Sequence, residues 1–439
     1  MNMYSLTGTH CNKNYGGSGI WKAVFYLIFF VFFPLLSIHA DLVRSGAIQS
    51  DERWRFEDSP VMIQGDLVIA EGADVAIEAG VDVRIEANAV ITVLGRLDAE
   101  GAADDPIRFH PMGSRRWGAV SYEREGAGQL KHCYFERGSY ASDHRNGVVN
   151  AYRCTAPVII DSCTFTDWPG EFDSKAANGY YSTQMVVRNC WFGEGASEVV
   201  YGVHSPMLIE HNTFMPRFDY RDAVDIGDTQ NPGPIIRYNV FWGSEDDAID
   251  LDDCDAYVEG NLVMNCRGGS HDPIGISGDR TSKPILVNNI IVNCESGIGF
   301  KNGAEITVIN NTVIDCDRGV WLHQNPAHAK LINTIIWGRE DQVSIRLEEG
   351  STIDVSYSLI RGDSIYPGEG NLNEDPLFVD PLNRLFQLLA GSPAIDAGWS
   401  GEGVLDYDYD GAARVGNVDI GALEYAPGET AIGKWIEFE

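Results

Sequence analysis

Residues 288–313, NNIIVNCESGIGFKNGAEITVINNTV, begin and end on the same short pattern: Asn288-Asn289-Ile290-Ile291 and Asn310-Asn311-Thr312-Val313. The pattern is a residue that is usually polar, then Asn or Cys, then two residues of which the second is apolar. It extends N-terminally through Gly260-Asn261-Leu262-Val263, Tyr238-Asn239-Val240-Phe241 and His211-Asn212-Thr213-Phe214, and C-terminally to Ile332-Asn333-Thr334-Ile335. Cysteine replaces the Asn at Cys133, Cys163 and Cys190. Successive copies lie 30, 27, 22, 27, 22, 28, 22 and 22 residues apart. A period of about 20–30 residues built on short apolar strands predicts an all-β solenoid, since helical repeats need about 33 residues or more.

Stacked coils place the recurring Asn in a column about 4.8 Å per step. Asn212, Asn239, Asn261, Asn289, Asn311 and Asn333 are therefore expected to form a ladder in which each amide donates to the next, satisfying the polar groups of a buried turn. Cys266, Cys294 and Cys316 form a second column five residues on. Without any Cys-x-x-Cys pair, they read as stacked buried thiols rather than a metal or redox site.

The 439-residue chain carries 64 Asp and Glu against 32 Lys and Arg, a formal charge of −32, and every acid lies after residue 40. That balance excludes nucleic acid as a partner and opposes polyanions unless cations intervene. Residues 23–38, AVFYLIFFVFFPLLSI, follow Lys13 and Lys22 and lead to His39-Ala40. This pattern reads as a secretory signal cleaved near Ala40, being short for a membrane anchor. The mature protein is expected to be secreted, periplasmic or at the cell surface, monomeric, and without a membrane span. Its cysteine spacings reflect stacking rather than a disulfide scaffold.

Residues 41–60 read as a linker and 61–360 as the solenoid, opening with alternating strands such as Val75-Ala76-Ile77 and Val83-Arg84-Ile85. In 361–439 the period is lost and Pro, Gly and Asp rise, as for a capping segment. The opening GDLVIAEGADVAIEAGVDVRIEANAVITVLGRLDAEGAADDPIRFHP, with Trp117-Gly118-Ala119-Val120, resembles the first coils of exported bacterial right-handed parallel β-helix proteins of the pectate-lyase-like superfamily. The closing DPLFVDP (375–381), GSPAIDAG (391–398) and DYDYDGAARVGNVDIGALEY (406–425) resemble the end of the same proteins. The resemblance implies a single-stranded right-handed parallel β-helix with an irregular C-terminal cap; it names no reaction. Alternating Asp406, Asp408 and Asp410 could chelate a cation or form a solvated acidic loop.

One face concentrates functional side chains. In 224–227, 249–252, 276–279, 298–301 and 320–323 apolar residues alternate with the others and so point inward. One outward column then holds Asp225, Asp250, Ser277, Gly299 and Trp321; its parallel holds Gly227, Asp252, Asp279, Lys301 and His323. Asp246 and Asp247 enter from the turn. Stacked carboxylates about 5 Å apart repel by roughly 3 kcal/mol at an effective dielectric near 20, so solvent, protons or a cation must offset them. Calcium, which takes six to eight hard oxygens, suits such a set.

Asp222-Ala223-Val224-Asp225, Asp246-Asp247-Ala248-Ile249-Asp250 and Gly297-Ile298-Gly299-Phe300-Lys301 resemble the calcium coils and base motif of family 9 pectate lyases. The resemblance implies Asp222, Asp246, Asp247 and Asp250 as calcium ligands, with Asp225 and Asp252 beside them, and Lys301 as base in β-elimination from a uronate polysaccharide. The coil containing Gly275-Ile276-Ser277 intervenes, placing Lys301 about two strand spacings from the ligand coil; Asp279 and Arg280 lie closer, as possible substrate contacts. His323 is the alternative base, since imidazole titrates nearer neutrality, and Trp321 could stack on a sugar. Two other readings stay open: a non-catalytic glycan-binding or surface β-helix, and a glycoside hydrolase using Asp250 with Asp252 or Asp279.

Overall fold

The computed structural model describes residues 41–427, apart from 140, 142, 168–173, 195–196, 217, 219–220, 270–271 and 349. The expected signal segment, 1–40, lies outside the described residues. Among those described, no helix is long and apolar enough to cross a membrane.

The chain winds into a parallel β-solenoid. Each coil contributes three short strands, as in Val224–Gly227, Ile235–Arg237 and Val240–Phe241, followed one coil later by Ile249–Asp252, Tyr257–Glu259 and Leu262–Met264. Thirteen strands, from Glu52–Trp54 to Thr352–Ser356, stack as one sheet, and the other two rows join in a 25-stranded sheet. Pairing is in register: Val224 faces Ile249, Asp225 faces Asp250, Ile226 faces Leu251 and Gly227 faces Asp252. Every second residue points inward, and the interior is a run of identical stacks. The rings of Phe109, Phe135, Phe165, Phe192, Phe214 and Phe241 follow one another at centroid spacings of 4.5–5.1 Å. Each such contact adds about 0.5–1.5 kcal/mol beyond area burial.

The corner is built by the recurring pattern. Its first residue takes a left-handed conformation, with φ of 56° at His211 and Tyr238, 62° at Gly260, 54° at Asn288 and 53° at Asn310. Its second residue is the ladder Asn. The amide nitrogen and Nδ2 of Asn239 both donate to Oδ1 of Asn261, at 3.0 and 2.9 Å, while its Nδ2 also donates to the Ile209 carbonyl at 2.9 Å. Asn212, Asn261 and Asn289 repeat this arrangement toward Asn311. Cys190 continues the column, its amide donating to Asn212.

Asn333 departs from the expectation. Its φ is 51°, its Nδ2 donates to Asn310 rather than Asn311, and Thr334 takes the ladder place, its amide donating to Ser358 Oγ. At the first position Ile332 would have to adopt a left-handed backbone, which a β-branched residue resists, so the frame shifts by one. A second ladder escaped the sequence reading: the amides of Cys154, Ser182 and Ser205 donate in turn to Ser182 Oγ, Ser205 Oγ and Thr229 Oγ1 at 3.0–3.1 Å. The eight cysteines from Cys133 to Cys316 are buried and free. Burial pushes the Cys294 and Cys316 thiols well up, as expected for inert stacked thiols.

Two boundaries change. Residues 42–54 are not a linker: Leu42–Ile48 pairs in parallel with Val61–Ile69, Glu52–Trp54 pairs with Val75–Ile77, and Trp54 is fully buried. They form the first coil. The C-terminal segment does not simply cover the last coil. A partial turn closes that end, where Leu372 pairs with Leu359. The chain then runs back along the flank: Phe386, Ala422 and Leu423 pack on Leu262, Met264, Ile290 and Ile314. Asn288, Asn310 and Asn333 donate to the carbonyls of Tyr407, Asp419 and Trp399 at 2.8–3.0 Å. Corner asparagines thus bond both within the solenoid and to its strap.

Candidate functional site

The two outward columns form as the alternation predicts. Asp225, Asp250 and Ser277 face one another on consecutive strands, followed by Gly299 and Trp321. Gly227, Asp252 and Asp279 run beside them, and Lys301 pairs with His323. A Cβ at Gly299 would meet Ile274 Cδ1 at 2.7 Å, so the Ile274 side chain would have to shift to admit one.

Asp222, Asp246 and Asp247 converge at the mouth of two consecutive coils. All three are half-buried, and each offers an oxygen within 4.8 Å of the other two. Among the described residues it is the one group of three such side chains that meets in this way. Hydrogen bonds fix it: the Asp247 amide donates to Asp222 Oδ1 at 3.0 Å, and the Ile274 amide donates to Asp247 Oδ1 at 2.7 Å. Ser277 is the hub that sequence reasoning placed in the column without giving it a role. Its hydroxyl lies within donating reach of Asp247 Oδ2, Asp250 Oδ1 and the Ile249 carbonyl. One hydroxyl proton serves one acceptor at a time, so two carboxylates compete for it.

The electrostatics follow. Burial, and then the neighbouring carboxylates, hold the carboxyls of Asp222, Asp225 and Asp247 well above the usual range. Asp250 is raised by burial and pulled back by the Ser277 hydrogen bond and the Lys301 charge. Asp252 is pushed up to about 8 by burial, by Asp250 and by its hydrogen bond to Asp279. Carboxyls in this condition hold protons or take a cation. The donors are hard carboxylate oxygens from two adjacent coils. They fit calcium in chemistry, with solvent or substrate completing the six to eight ligands.

The remaining expected residues divide. Lys301 is half-buried at the end of Ser296–Lys301, and its side chain makes no hydrogen bond or ion pair among the described residues. His323 is only 5% exposed. Burial and the Lys301 charge lower its pKa to about 4, so it is neutral at pH 7 but a weak base. Trp321 is 7% exposed, its ring stacked on His323 at 3.6 Å and lying 4.1 Å from the Arg318 guanidinium. These neighbours leave little open ring for a sugar. Arg280 is exposed and pairs with Asp253 at 3.2 Å and Asp279 at 3.4 Å. Asp408, in the closing segment, is 2% exposed, and its two oxygens accept the amides of Ala412 and Glu424. It is a turn cap rather than part of a chelating set.

The face continues N-terminally beyond the predicted columns. Asn150, Asn178 and Tyr201 precede Asp225 in the same column. The signal for them was available in Val200-Tyr201-Gly202-Val203, which alternates in phase with Val224–Gly227.

The family model described as "Right handed beta helix region" matches residues 222–368. The solenoid is a right-handed parallel β-helix. No curated protein matches the chain. Similar solved structures include pectate lyase Pel9A, at 13% identity over 82% of this chain and 89% of that one, with a TM-score of 0.40. They also include the periplasmic alginate epimerase AlgG, at 11% identity over 70% and 84%, TM-score 0.45. A mannuronic acid specific polysaccharide family 6 lyase from human gut microbiota matches at 12% identity over 76% and 93%, TM-score 0.37.

Proposed function

We propose that this β-helix is an exported polysaccharide-active protein, and specifically a calcium-dependent lyase of uronate-containing glycans. The observation that carries the reading is the convergence of Asp222, Asp246 and Asp247 beside the half-buried carboxyls of Asp225 and Asp250. Asp222, Asp246 and Asp247 would hold the ion, with Asp250 and Asp225 next to it and Asp252 at the edge. Bound there, calcium would neutralise a uronate carboxylate and acidify the adjacent C–H.

The chain's own groups supply the rest. Ser277 orients Asp247 and Asp250. Once it has given its own proton to solvent, the neutral Lys301 amine would take the proton from the carbon next to the carboxylate; the electron pair forms a C=C bond as the glycosidic C–O bond breaks, and the leaving oxygen takes a proton from water. Lys301 is preferred over His323, whose lowered pKa and stacking on Trp321 make it a poor acceptor. The hydrolase reading, which pairs Asp250 with Asp252 or Asp279, would need the two carboxyls about 5 Å or more apart on either side of a sugar.

The assay is formation of ultraviolet-absorbing unsaturated sugar from pectate, alginate or glycosaminoglycans, with calcium or with chelator. Product is expected with calcium only, and Lys301→Ala should lower its rate about a hundred- to ten-thousand-fold. A second reading, a non-catalytic glycan-binding β-helix, is favoured by the two strand steps between Asp250 and Lys301. Binding without product would establish it, and reducing ends without absorbance would establish a hydrolase.

A further inference from the structure

N-terminal to the aspartates, on the same face, lies a recess of about 610 Å³. It is within the range of about 300–1,000 Å³ typical of small-molecule sites. Its floor continues the aspartate column, because Asn178, Tyr201 and Asp225 pair on consecutive strands. Anything bound along the helix axis at the cluster therefore passes over it.

Asn178 is the telling residue. It is 2% exposed, yet its Oδ1 has no hydrogen-bond partner. Its orientation is settled, since Nδ2 faces three acceptors: Asn146 Oδ1 at 3.0 Å, Asn150 Oδ1 at 3.2 Å and the His144 carbonyl at 3.3 Å. Turning the amide over would set oxygen against three oxygens. A buried carbonyl oxygen without a donor, in the lining of a recess, calls for a donor from a ligand.

The walls specify which ligand. On one side the His144 and Tyr152 rings stack at 3.6 Å, and Tyr180 follows at 5.9 Å, an aromatic surface suited to the C–H face of a sugar. On the other, Glu198 accepts ion pairs from Lys175 at 2.8 Å and Arg221 at 3.1 Å. Lys175 Nζ also lies 4.5 Å from the Tyr201 ring centroid. The Arg221 side chain is 40% exposed, so its planar fork is within reach of a ligand carboxylate. Glu198 holds both cations in place.

We infer that this recess is a glycan subsite for a uronate residue, whose hydroxyl donates to Asn178 Oδ1 and whose carboxylate meets Arg221. The inference rests on the polysaccharide reading above but not on its chemistry, because nothing in the recess requires calcium.

The test is calorimetric titration of the full chain with tetragalacturonate and with tetramannuronate, in chelator, with cellotetraose as the neutral probe. At least one uronate tetramer should bind, and cellotetraose should bind more weakly. Arg221→Gln and Tyr201→Ala should each weaken binding about tenfold, with unfolding curves confirming that the variants fold. Equal binding of cellotetraose, no binding of either uronate, or unchanged binding in both folded variants would overturn the inference. Chelator-resistant binding that Arg221→Gln weakens, without unsaturated product under calcium, would remove the lyase chemistry and keep the subsite. Product under calcium without chelator-resistant binding would do the reverse.

Discussion

An isolated aspartate ionises near pH 3.8, whereas Asp252 in the folded chain keeps its proton to about 8. Between these values the native state binds more protons than the unfolded state, so stability falls as pH rises. The contribution of Asp252 is complete below about pH 4 and is lost as pH rises through about 8. Asp222, Asp225, Asp247 and Asp250 shift in the same direction. In chelator, the denaturation midpoint should therefore drop between about pH 5 and pH 8, and Asp252→Asn should flatten part of the slope. Excess calcium should remove the rest by binding the ionised form, worth about 2.7 kcal/mol at a hundredfold excess over Kd. A pH-independent midpoint in chelator would mean that these carboxyls are ordinarily solvated.

The coil is held at its corner by the Asn ladder. Asn261 accepts two bonds from Asn239 and donates to the Ile236 carbonyl and to Asn289. Replacing it with Ala strands at least the Asn239 amide in a dry turn, at about 1–3 kcal/mol for each orphaned group. Urea denaturation of Asn261→Ala should register a loss of about 2–4 kcal/mol; a loss within error would assign coil stability to the phenylalanine stack alone. The ladder was legible in the sequence because chemistry and spacing coincide. Its end was misread at Asn333 because composition was followed where backbone conformation decides. The Asp225–Asp250–Ser277 and Asp252–Asp279 columns were legible because alternation fixes which side chains face outward. The role of Ser277 was not, since a hydroxyl shared by two carboxylates depends on rotamers. Asn178 and Glu198 were hidden because the sequence before their strands lacks the apolar alternation that marks the later coils. The first coil escaped because Leu42–Ile48 is mostly exposed and shows little apolar alternation.

Over the whole right-handed helix, the C-terminal segment works as a strap. Its Phe386, Ala422 and Leu423 cover a flank of Leu262, Met264, Ile290 and Ile314. A flank that apolar would otherwise face water and invite association. Ending the chain after Asn373 should leave the coils wound but produce soluble aggregates on size-exclusion chromatography. A monodisperse truncated protein with an unchanged melting curve would show the strap to be dispensable. The acidic surface sets the sign of what can approach, so under the proposed function a uronate chain would meet its charge partners locally, at a cation bound by the aspartates and at Arg221. The proposed function requires Asp222, Asp246 and Asp247 to form a calcium site. Calcium titration of the chelator-stripped protein by calorimetry tests it most directly. One ion per chain should bind in the native protein, with the heat abolished in an Asp246→Asn, Asp247→Asn double variant that still folds; no saturable heat, or the same heat in the double variant, would contradict it.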